Sequence, residues 1–334
     1  MDVRSSPQTV FRHETLHISN AQESRPRKAE KAREKKGRGP QTSQRSPLRV
    51  MELVMNGVFF FCGIVAIVFV LFISIYLIVS GLPAIMEIGL VDFLFGQTWA
   101  STAKDPQFGI LPFILTSIYG TAGAVVLGVP VGLMTAIFIS KVAPKKVAAV
   151  VRPAVDLLAG IPSVVYGLIG MIVLVPAVRE AFNLPDGASL FAAIIVLAVM
   201  ILPSIISVSE TALNAVPREY EEASLALGAT HIETVFRVSV PAASSGIAAS
   251  VVLGIGRAIG EAMAIMMVAG NVANMPGLFK SVRFLTTAVA SEMSYAAVGS
   301  LQRQALFSIA LVLFLFIMLI NVVLNGLLKK KNKD

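Results

Sequence analysis

The chain has 334 residues, of which 55% are hydrophobic and 14% are charged, and its formal net charge is +8. A soluble domain of this length needs more polar surface, so the composition excludes an ordinary soluble protein and indicates one that is solvated by a lipid bilayer. The single cysteine, Cys62, excludes a disulfide framework within the chain and a cysteine-rich metal site.

Residues 1–50 form a polar N-terminal segment that holds 12 of the 28 Lys and Arg residues. We expect no secretory signal in it, because the first apolar run begins near Leu53. The segment is predicted to be a disordered tail whose basic stretch Arg25–Arg38 touches anionic lipid. Docking to another protein is the alternative. Nucleic acid is not an expected partner, since no aromatic residues accompany the charge.

A formal HExxH match, His13 to His17, lies in this tail. That motif binds zinc when a helix holds its two histidines on one face. A polar tail provides no core to fix such geometry, so we expect no metal site, and no cofactor is predicted.

Six apolar stretches are long enough to cross about 30 Å of hydrocarbon, which takes roughly 20 helical residues. They are Leu53–Val79, Ile110–Ile139, Val155–Val178, Leu190–Val208, Ile247–Ala269 and Ala305–Leu328. A helix satisfies its own backbone groups, as hydrocarbon demands. Residues 51–331 are therefore predicted to form an all-α membrane domain with six transmembrane helices.

Lys and Arg residues outside the spans predict the orientation. The two terminal segments and the loops at 140–154 and 209–244 hold 22 of them, whereas the alternate segments hold five. Since basic residues concentrate on the cytoplasmic side, both termini are predicted to be cytoplasmic.

The third predicted span is interrupted by the sequence Ala-Gly-Ile-Pro-Ser at 159–163. A proline removes a helical hydrogen bond and obstructs the preceding turn. Irregular backbone at membrane depth is tolerated where protein buries it or water lines it. We interpret the break between Gly160 and Ser163 as lining a pathway, and a purely structural kink is the alternative.

The segment Ala215–Ala243 is too polar to cross the membrane. Pro217 suits the first position of a helix, and Gly228 supplies its stop. Thr230 and Glu233 have capping-box spacing, so a second short helix should follow and run to Pro241. We call this predicted cytoplasmic helix–turn–helix segment the elbow.

The elbow resembles the EAA loop of bacterial ABC importer permeases. The match comprises Glu222-Ala223, Gly228 six residues after the glutamate, and Val238-Ser239-Val240-Pro241. Ser224 replaces the second alanine of the family pattern, and valines replace its Ile and Leu. The resemblance implies a type I importer-like fold in which Glu222, Ala223 and Gly228 dock on a separate ATPase. The chain has no GxxxxGK[ST] phosphate loop, so we expect a transport subunit rather than an enzyme.

The fifth predicted span contains two ionisable residues, Arg257 and Glu261. A charge at the bilayer centre costs about 2.5–3.5 kcal/mol on insertion scales, so it normally faces a cavity or a partner. A spacing of four places both side chains on one helical face, where they can pair. Two interpretations stay open: a permanent ion pair that locks the helices, or an arginine that meets a passing oxyanion while Glu261 orients it.

Further strings resemble the phosphate importer permease family, PstC type. They include Phe108–Phe113, Leu158–Gly167, Met200–Pro203 and Gly256–Glu261. The resemblance implies inorganic phosphate as cargo, Arg257 and Glu261 as the functional pair, and Ser163 as their neighbour in the pathway. It also implies a second permease of PstA type, a cytoplasmic ATP-binding dimer and an extracytoplasmic phosphate-binding protein.

Two alternatives for the cargo and the mechanism remain. The spacing of Arg257 and Glu261 also resembles sulfate and molybdate permeases, so another oxyanion stays open. An ion-coupled secondary transporter would explain six spans and an intramembrane pair, but it would not explain the elbow.

Overall fold

The computed structural model describes residues 47–331, and the apolar stretches within this range form long helices separated by short ones. The helices are α1 (Pro47–Ile88), α2 (Leu90–Phe95), α3 (Leu111–Ile137), α4 (Lys145–Gly160), α5 (Ser163–Ile169), α6 (Val175–Ala181), α7 (Leu190–Asn214), α8 (Arg218–Ala226), α9 (His231–Thr234), α10 (Val240–Ala242), α11 (Ser244–Gly260), α12 (Met263–Val268), α13 (Leu285–Glu292) and α14 (Leu301–Lys331). Three π-helical turns, Phe138–Val142, Gly170–Leu174 and Val235–Ser239, extend α3, join α5 to α6 and join α9 to α10.

Within residues 47–331, five helical segments have the length and apolar composition to cross a membrane, and a sixth is a pair bent by 70°. The five are Val54–Ile88, Leu111–Val142, Ser163–Ala181, Leu190–Asn214 and Leu301–Leu324, and the pair is His231–Ala242 with Ser244–Gly260. The predicted all-α membrane fold is confirmed.

α1 begins at Pro47, inside the segment predicted to be a tail. The rest of that tail, with Arg25–Arg38 and His13–His17, lies outside the described residues. The chain forms two compact units, and the boundary between them lies within α1, between Ala66 and Ile67. Most described side chains of α1 are exposed and apolar, as expected for a helix that lipid surrounds.

The close approach of α3 and α7 organises the core. Gly128 and Gly132 face Ile201 and Ile205, and a Cβ atom on either glycine would lie 2.8–2.9 Å from the isoleucine side chain. Small residues at such positions let two membrane helices pack backbone to side chain. Ile201 and Ile205 are fully buried as a result.

Two predicted spans are discontinuous. α4 ends at Gly160 and α5 starts at Ser163, with Ile161 and Pro162 extended between them, so the predicted break is confirmed. The prediction of one helix through Ile247–Ala269 is wrong, because α11 ends at Gly260 and the helix restarts at Met263. Glu261 is extended there (φ −74°, ψ 131°).

The end of the domain away from the elbow contains a feature that the sequence analysis missed. Trp99–Ala100 (β1) pairs antiparallel with Gln107–Phe108 (β2). The hairpin packs with α13 and α14 in one hydrophobic cluster. The fully buried residues of this cluster include Phe93, Phe113 and Leu306.

Candidate functional site

The elbow has the predicted two-helix form. α8 begins at Arg218, one residue after the predicted start at Pro217, and Gly228 turns the chain with φ +88°. Thr230 and Glu233 form the predicted capping box, with the Thr230 amide donating to the Glu233 carboxylate at 3.0 Å. These bonds from Thr230 lower the pKa of Glu233.

The outer surface of the elbow carries the residues that the family pattern singled out. Glu222, Ala223 and Gly228 are all exposed. Leu227 beside them is 90% exposed, and Leu225 and Ile232 are also exposed. An apolar side chain that protrudes this far from a polar loop is suited to insertion into a partner's groove.

The inner surface of the elbow is tied to the end of α3. Lys141, in the π-helical extension of α3, forms an ion pair with Glu221 of α8 at 2.6 Å. The Ser239 hydroxyl donates to the same Glu221 carboxylate at 2.9 Å. His231 Nε2 lies 2.8 Å from the Lys141 carbonyl oxygen. Both elbow helices are thus connected to one residue of a membrane helix.

Glu221 titrates in an environment set by these contacts. Partial burial raises its pKa, but the hydrogen bonds from Lys141 and Ser239 outweigh burial, so the pKa lies below the ordinary glutamate value. Glu221 is therefore ionised throughout the physiological range.

A second ion pair lies near the same end and does not involve the elbow. Arg152 of α4 donates from Nε to Glu210 of α7 at 2.7 Å. Glu210 is buried, and Arg152 is half-exposed. This ion pair connects α4 to α7. Because it does not involve the elbow, it can serve as a comparison for the Lys141–Glu221 pair.

Arg257 lines an open cavity of about 600 Å³ between three helices. The polar residues on its wall are Arg257 from α11, Ser204 from α7 and Asn321 from α14, and the other lining residues are Ala249, Val252, Leu253 and Gly256. Arg257 Nη1 donates to Ser204 Oγ at 3.3 Å. The guanidinium thus lies in a largely apolar cavity with a hydroxyl as its hydrogen-bond partner.

The ion pair between Arg257 and Glu261, one of the two interpretations that the sequence left open, is not among the ion pairs of the described residues. Among the described residues, the ion pairs within 4.0 Å are Lys141–Glu221, Arg152–Glu210 and Arg283–Glu292. Two residues four positions apart share a helical face only if the helix is continuous, and α11 ends at Gly260, before Glu261. Glu261 instead accepts a hydrogen bond from the Ala264 amide at 2.9 Å, so it caps α12, while its carbonyl accepts from the Thr286 hydroxyl at 2.7 Å.

The two helix breaks belong to one packed pair of helices. α5 packs against α12 so closely that a Cβ on Gly167 would lie 2.7 Å from the Ala264 Cα atom. Ser163, half-buried, is the first residue of α5. Within the described part of the chain, the side-chain hydrogen bonds of Arg257 and Glu261 do not include Ser163. The structure thus brings the two breaks together without a direct bond between the three predicted pathway residues.

Tyr166 spans the first break. Its hydroxyl donates to the Leu158 carbonyl oxygen at 2.7 Å, which joins α5 to the end of α4. This hydrogen bond therefore stabilises the break between the two helices.

The opposite end of the domain contains a buried network that the sequence analysis missed. Glu292, 3% exposed, pairs with Arg283 and accepts from Trp99 Nε1 and Ser101 Oγ, each at 2.9 Å. Gln302 adds a fourth donor at 3.2 Å. Trp99 and Glu292 are 193 positions apart, so no local pattern could have revealed the contact.

Within residues 47–331, no group of three or more His, Cys, Asp or Glu residues has a geometry that could hold a metal ion. The formal HExxH match at His13–His17 lies outside that range.

Comparison with protein families gives a match over most of this domain. Residues 128–333 match the family described as binding-protein-dependent transport system inner membrane component. The chain is 41% identical over 266 residues to the probable ABC transporter permease protein YqgH of Bacillus subtilis, covering 78% of this chain and 86% of that protein. It is 36% identical over 264 residues to the phosphate transport system permease protein PstC of Haemophilus influenzae, covering 72% and 82%.

Solved structures support the fold. An inward-facing MetNI methionine ABC transporter aligns with a TM-score of 0.53 at 20% identity, covering 66% of this chain and 95% of that one. A bacterial alginate ABC transporter, solved with an alginate pentasaccharide-bound periplasmic protein, aligns with a TM-score of 0.54 at 14% identity, covering 83% and 94%. At these identities the likeness concerns the fold alone.

Apolar spanning helices, an EAA-type elbow and a family match together define a multi-pass membrane subunit of an ABC importer. The chain belongs to the family of inner membrane components of binding-protein-dependent transport systems, and the PstC-type resemblance of its sequence is confirmed by relatives that are 31–36% identical.

Proposed function

We propose that this permease carries inorganic phosphate into the cell in an ATP-driven importer. The observation that carries the proposal is Arg257, a guanidinium without a carboxylate partner among the described residues, on the wall of a cavity between membrane helices. A planar group with five donors suits an oxyanion better than a neutral solute. Relatives that cover most of the chain are named phosphate transport system permease proteins, which favours phosphate among oxyanions.

In this proposal Arg257 lowers the electrostatic barrier to an anion in the low-dielectric interior. A mostly apolar wall with few donors gives a shallow site, and a shallow site lets the ion leave. Glu261 acts as a positioning residue, because its carboxylate caps α12 and so maintains the break after Arg257. Ser163 lies at the start of the helix packed against α12 and completes the predicted pathway.

The proposed assembly contains a second permease of PstA type, two copies of a cytoplasmic ATP-binding subunit and an extracytoplasmic phosphate-binding protein. The distribution of Lys and Arg residues supports cytoplasmic termini and a cytoplasmic elbow. ATP hydrolysis would belong to the ATP-binding subunits.

Coupling would begin at the exposed surface of the elbow. Glu222, Ala223 and Gly228, with Leu227 protruding beside them, would dock in a groove on the ATPase. Movement would then reach α11 directly along the chain, and α3 through the pair formed by Lys141 and Glu221. The second route adds a side-chain connection to the covalent one.

Another oxyanion, such as sulfate or molybdate, is the second candidate, because Arg257 by itself favours negative charge rather than phosphate. An oxyanion competition assay on the reconstituted transporter separates the two. Excess unlabelled phosphate should suppress uptake of labelled phosphate, while the same excess of sulfate or molybdate should leave it unchanged. Equal suppression by sulfate would contradict the assignment to phosphate.

A further inference from the structure

The cavity at Arg257 has a polar contributor from a helix that carries no predicted site residue. Asn321 lies on α14 and lines the cavity together with Arg257 and Ser204. It is half-buried, and none of the side-chain hydrogen bonds found among the described residues involves it. An amide placed in a membrane helix loses its water partners, so an unbonded one normally faces a cavity or a partner.

The three polar side chains come from three different helices, α7, α11 and α14. Their cavity, of about 600 Å³, is many times the ~30 Å³ that one water occupies in the liquid, so an oxyanion fits with part of its hydration. The remaining lining is apolar, so the three side chains are the groups on this wall that can replace the water lost by the ion.

We propose that Asn321, with Ser204, contacts the transported anion and favours an oxyanion that still carries a proton. This inference rests on the proposed function of the cavity as part of the pathway. Asn321 is thus a specificity residue that adds to the attraction supplied by Arg257.

The chemical reason is the difference between donors and acceptors. A guanidinium only donates hydrogen bonds, and a fully deprotonated anion such as sulfate only accepts them. Phosphate keeps at least one proton at neutral pH, so it needs an acceptor as well. The Asn321 amide oxygen and the Ser204 hydroxyl oxygen can accept a hydrogen bond from that proton, which the Arg257 guanidinium cannot do.

The test compares variants of the complete complex. Asn321→Leu keeps a similar volume and removes both hydrogen-bonding groups, and Asn321→Gln keeps them. Val322→Leu, on the neighbouring position that is 65% exposed, is the matched control. Equilibrium dialysis of the permease–ATPase complex in nanodiscs, without its binding protein, measures labelled phosphate and labelled sulfate. Labelled phosphate uptake by proteoliposomes with the binding protein is the second readout.

We expect Asn321→Leu to weaken phosphate binding by about tenfold, the effect of one lost hydrogen bond, and to bring it close to the binding of sulfate. Asn321→Gln should retain a preference for phosphate, and Val322→Leu should match the wild type. The inference is overturned if Asn321→Leu binds and discriminates like Val322→Leu while the wild type transports phosphate. It is also overturned if Asn321→Leu releases the second permease, since the amide would then serve that contact. A wild-type complex that moves no phosphate would instead overturn the proposed function.

Discussion

Lys141 and Glu221 form a 2.6 Å ion pair that joins the end of α3 to the first helix of the elbow. Their side chains are 11% and 22% exposed, so the pair is shielded from water on most sides. Ser239 and His231 add contacts from the second elbow helix. The elbow is therefore attached to the membrane helices by side chains as well as by the chain itself.

The first prediction concerns this attachment. Glu221→Gln should weaken it by roughly 1 kcal/mol, the upper range for a partly exposed pair. We expect less phosphate uptake per ATP hydrolysed, because the elbow can then move without pulling α3. Measuring both rates on the same proteoliposomes checks this.

The control for that experiment is Arg152→Gln, which removes the Arg152–Glu210 pair and leaves the elbow contacts in place. The charge exchange Lys141→Glu with Glu221→Lys should restore part of the coupling. An unchanged ratio of uptake to hydrolysis in Glu221→Gln would show that the pair has no part in coupling.

The second prediction concerns pH. Because the pKa of Glu221 in the folded protein lies below its ordinary value, the elbow gains stability above the ordinary glutamate pKa of about 4.3 and loses it as the pH falls through the lowered value. Hydrogen–deuterium exchange of Arg218–Ala226 should therefore show constant protection between pH 6 and 8, after correction for the intrinsic rate, and less protection only in strong acid. Glu221→Gln should show lower protection at neutral pH. A loss of protection near pH 6 in the wild type would contradict the assigned contacts.

The third prediction separates the two interpretations of Arg257. Since Glu261 caps α12 instead of pairing with Arg257, the exchange Arg257→Glu with Glu261→Arg should not restore transport. Glu261→Gln keeps an oxygen that can accept from the Ala264 amide, so it should reduce phosphate uptake less than Arg257→Gln does. Equal losses in the two single variants, with rescue by the exchange, would support a locked ion pair.

The fourth prediction concerns docking at Gly228. A Cβ there would meet no atom within 4 Å, but φ is +88°, so Gly228→Ala strains the turn by about 1 kcal/mol without an internal clash. Gly228→Asp adds a charge to the docking surface. It should reduce co-purification of the ATPase more than Gly228→Ala does. Normal co-purification in Gly228→Asp would count against the docking role.

The fifth prediction concerns the buried network. Glu292→Gln leaves Arg283 without its counter-charge in a buried site, which costs about 3–5 kcal/mol for a broken buried pair. We expect a clearly lower Tm in detergent. Glu87→Gln, at an exposed position near the end of α1, is the control. Equal Tm values in the two variants would contradict the structural role of Glu292.

The features that the sequence predicted correctly are those with local causes. The capping box of Thr230 and Glu233 and the turn at Gly228 depend on residues within one or two helical turns, so spacing alone predicts them. The apolar runs likewise predicted the spans other than the fifth, because hydrocarbon solvates each helix separately.

The features that could not be predicted depend on distant residues. Arg257 and Glu261 have the spacing of a helical pair, but α11 ends at Gly260. The Thr286 hydroxyl, 25 positions after Glu261, donates a hydrogen bond to the Glu261 carbonyl oxygen and so stabilises the end of the helix. Asn321 joins the cavity only because α14 packs beside α11. The lowered pKa of Glu221 depends on Lys141 and Ser239, which lie on two other segments.

The most direct measurement is ATP-dependent uptake of labelled phosphate by proteoliposomes that contain the complete importer, with the wild type and Arg257→Gln compared at equal amounts of assembled complex. We predict uptake by the wild type and loss of uptake in Arg257→Gln, with the ATPase still bound in both. Undiminished phosphate uptake by assembled Arg257→Gln complexes would contradict the account.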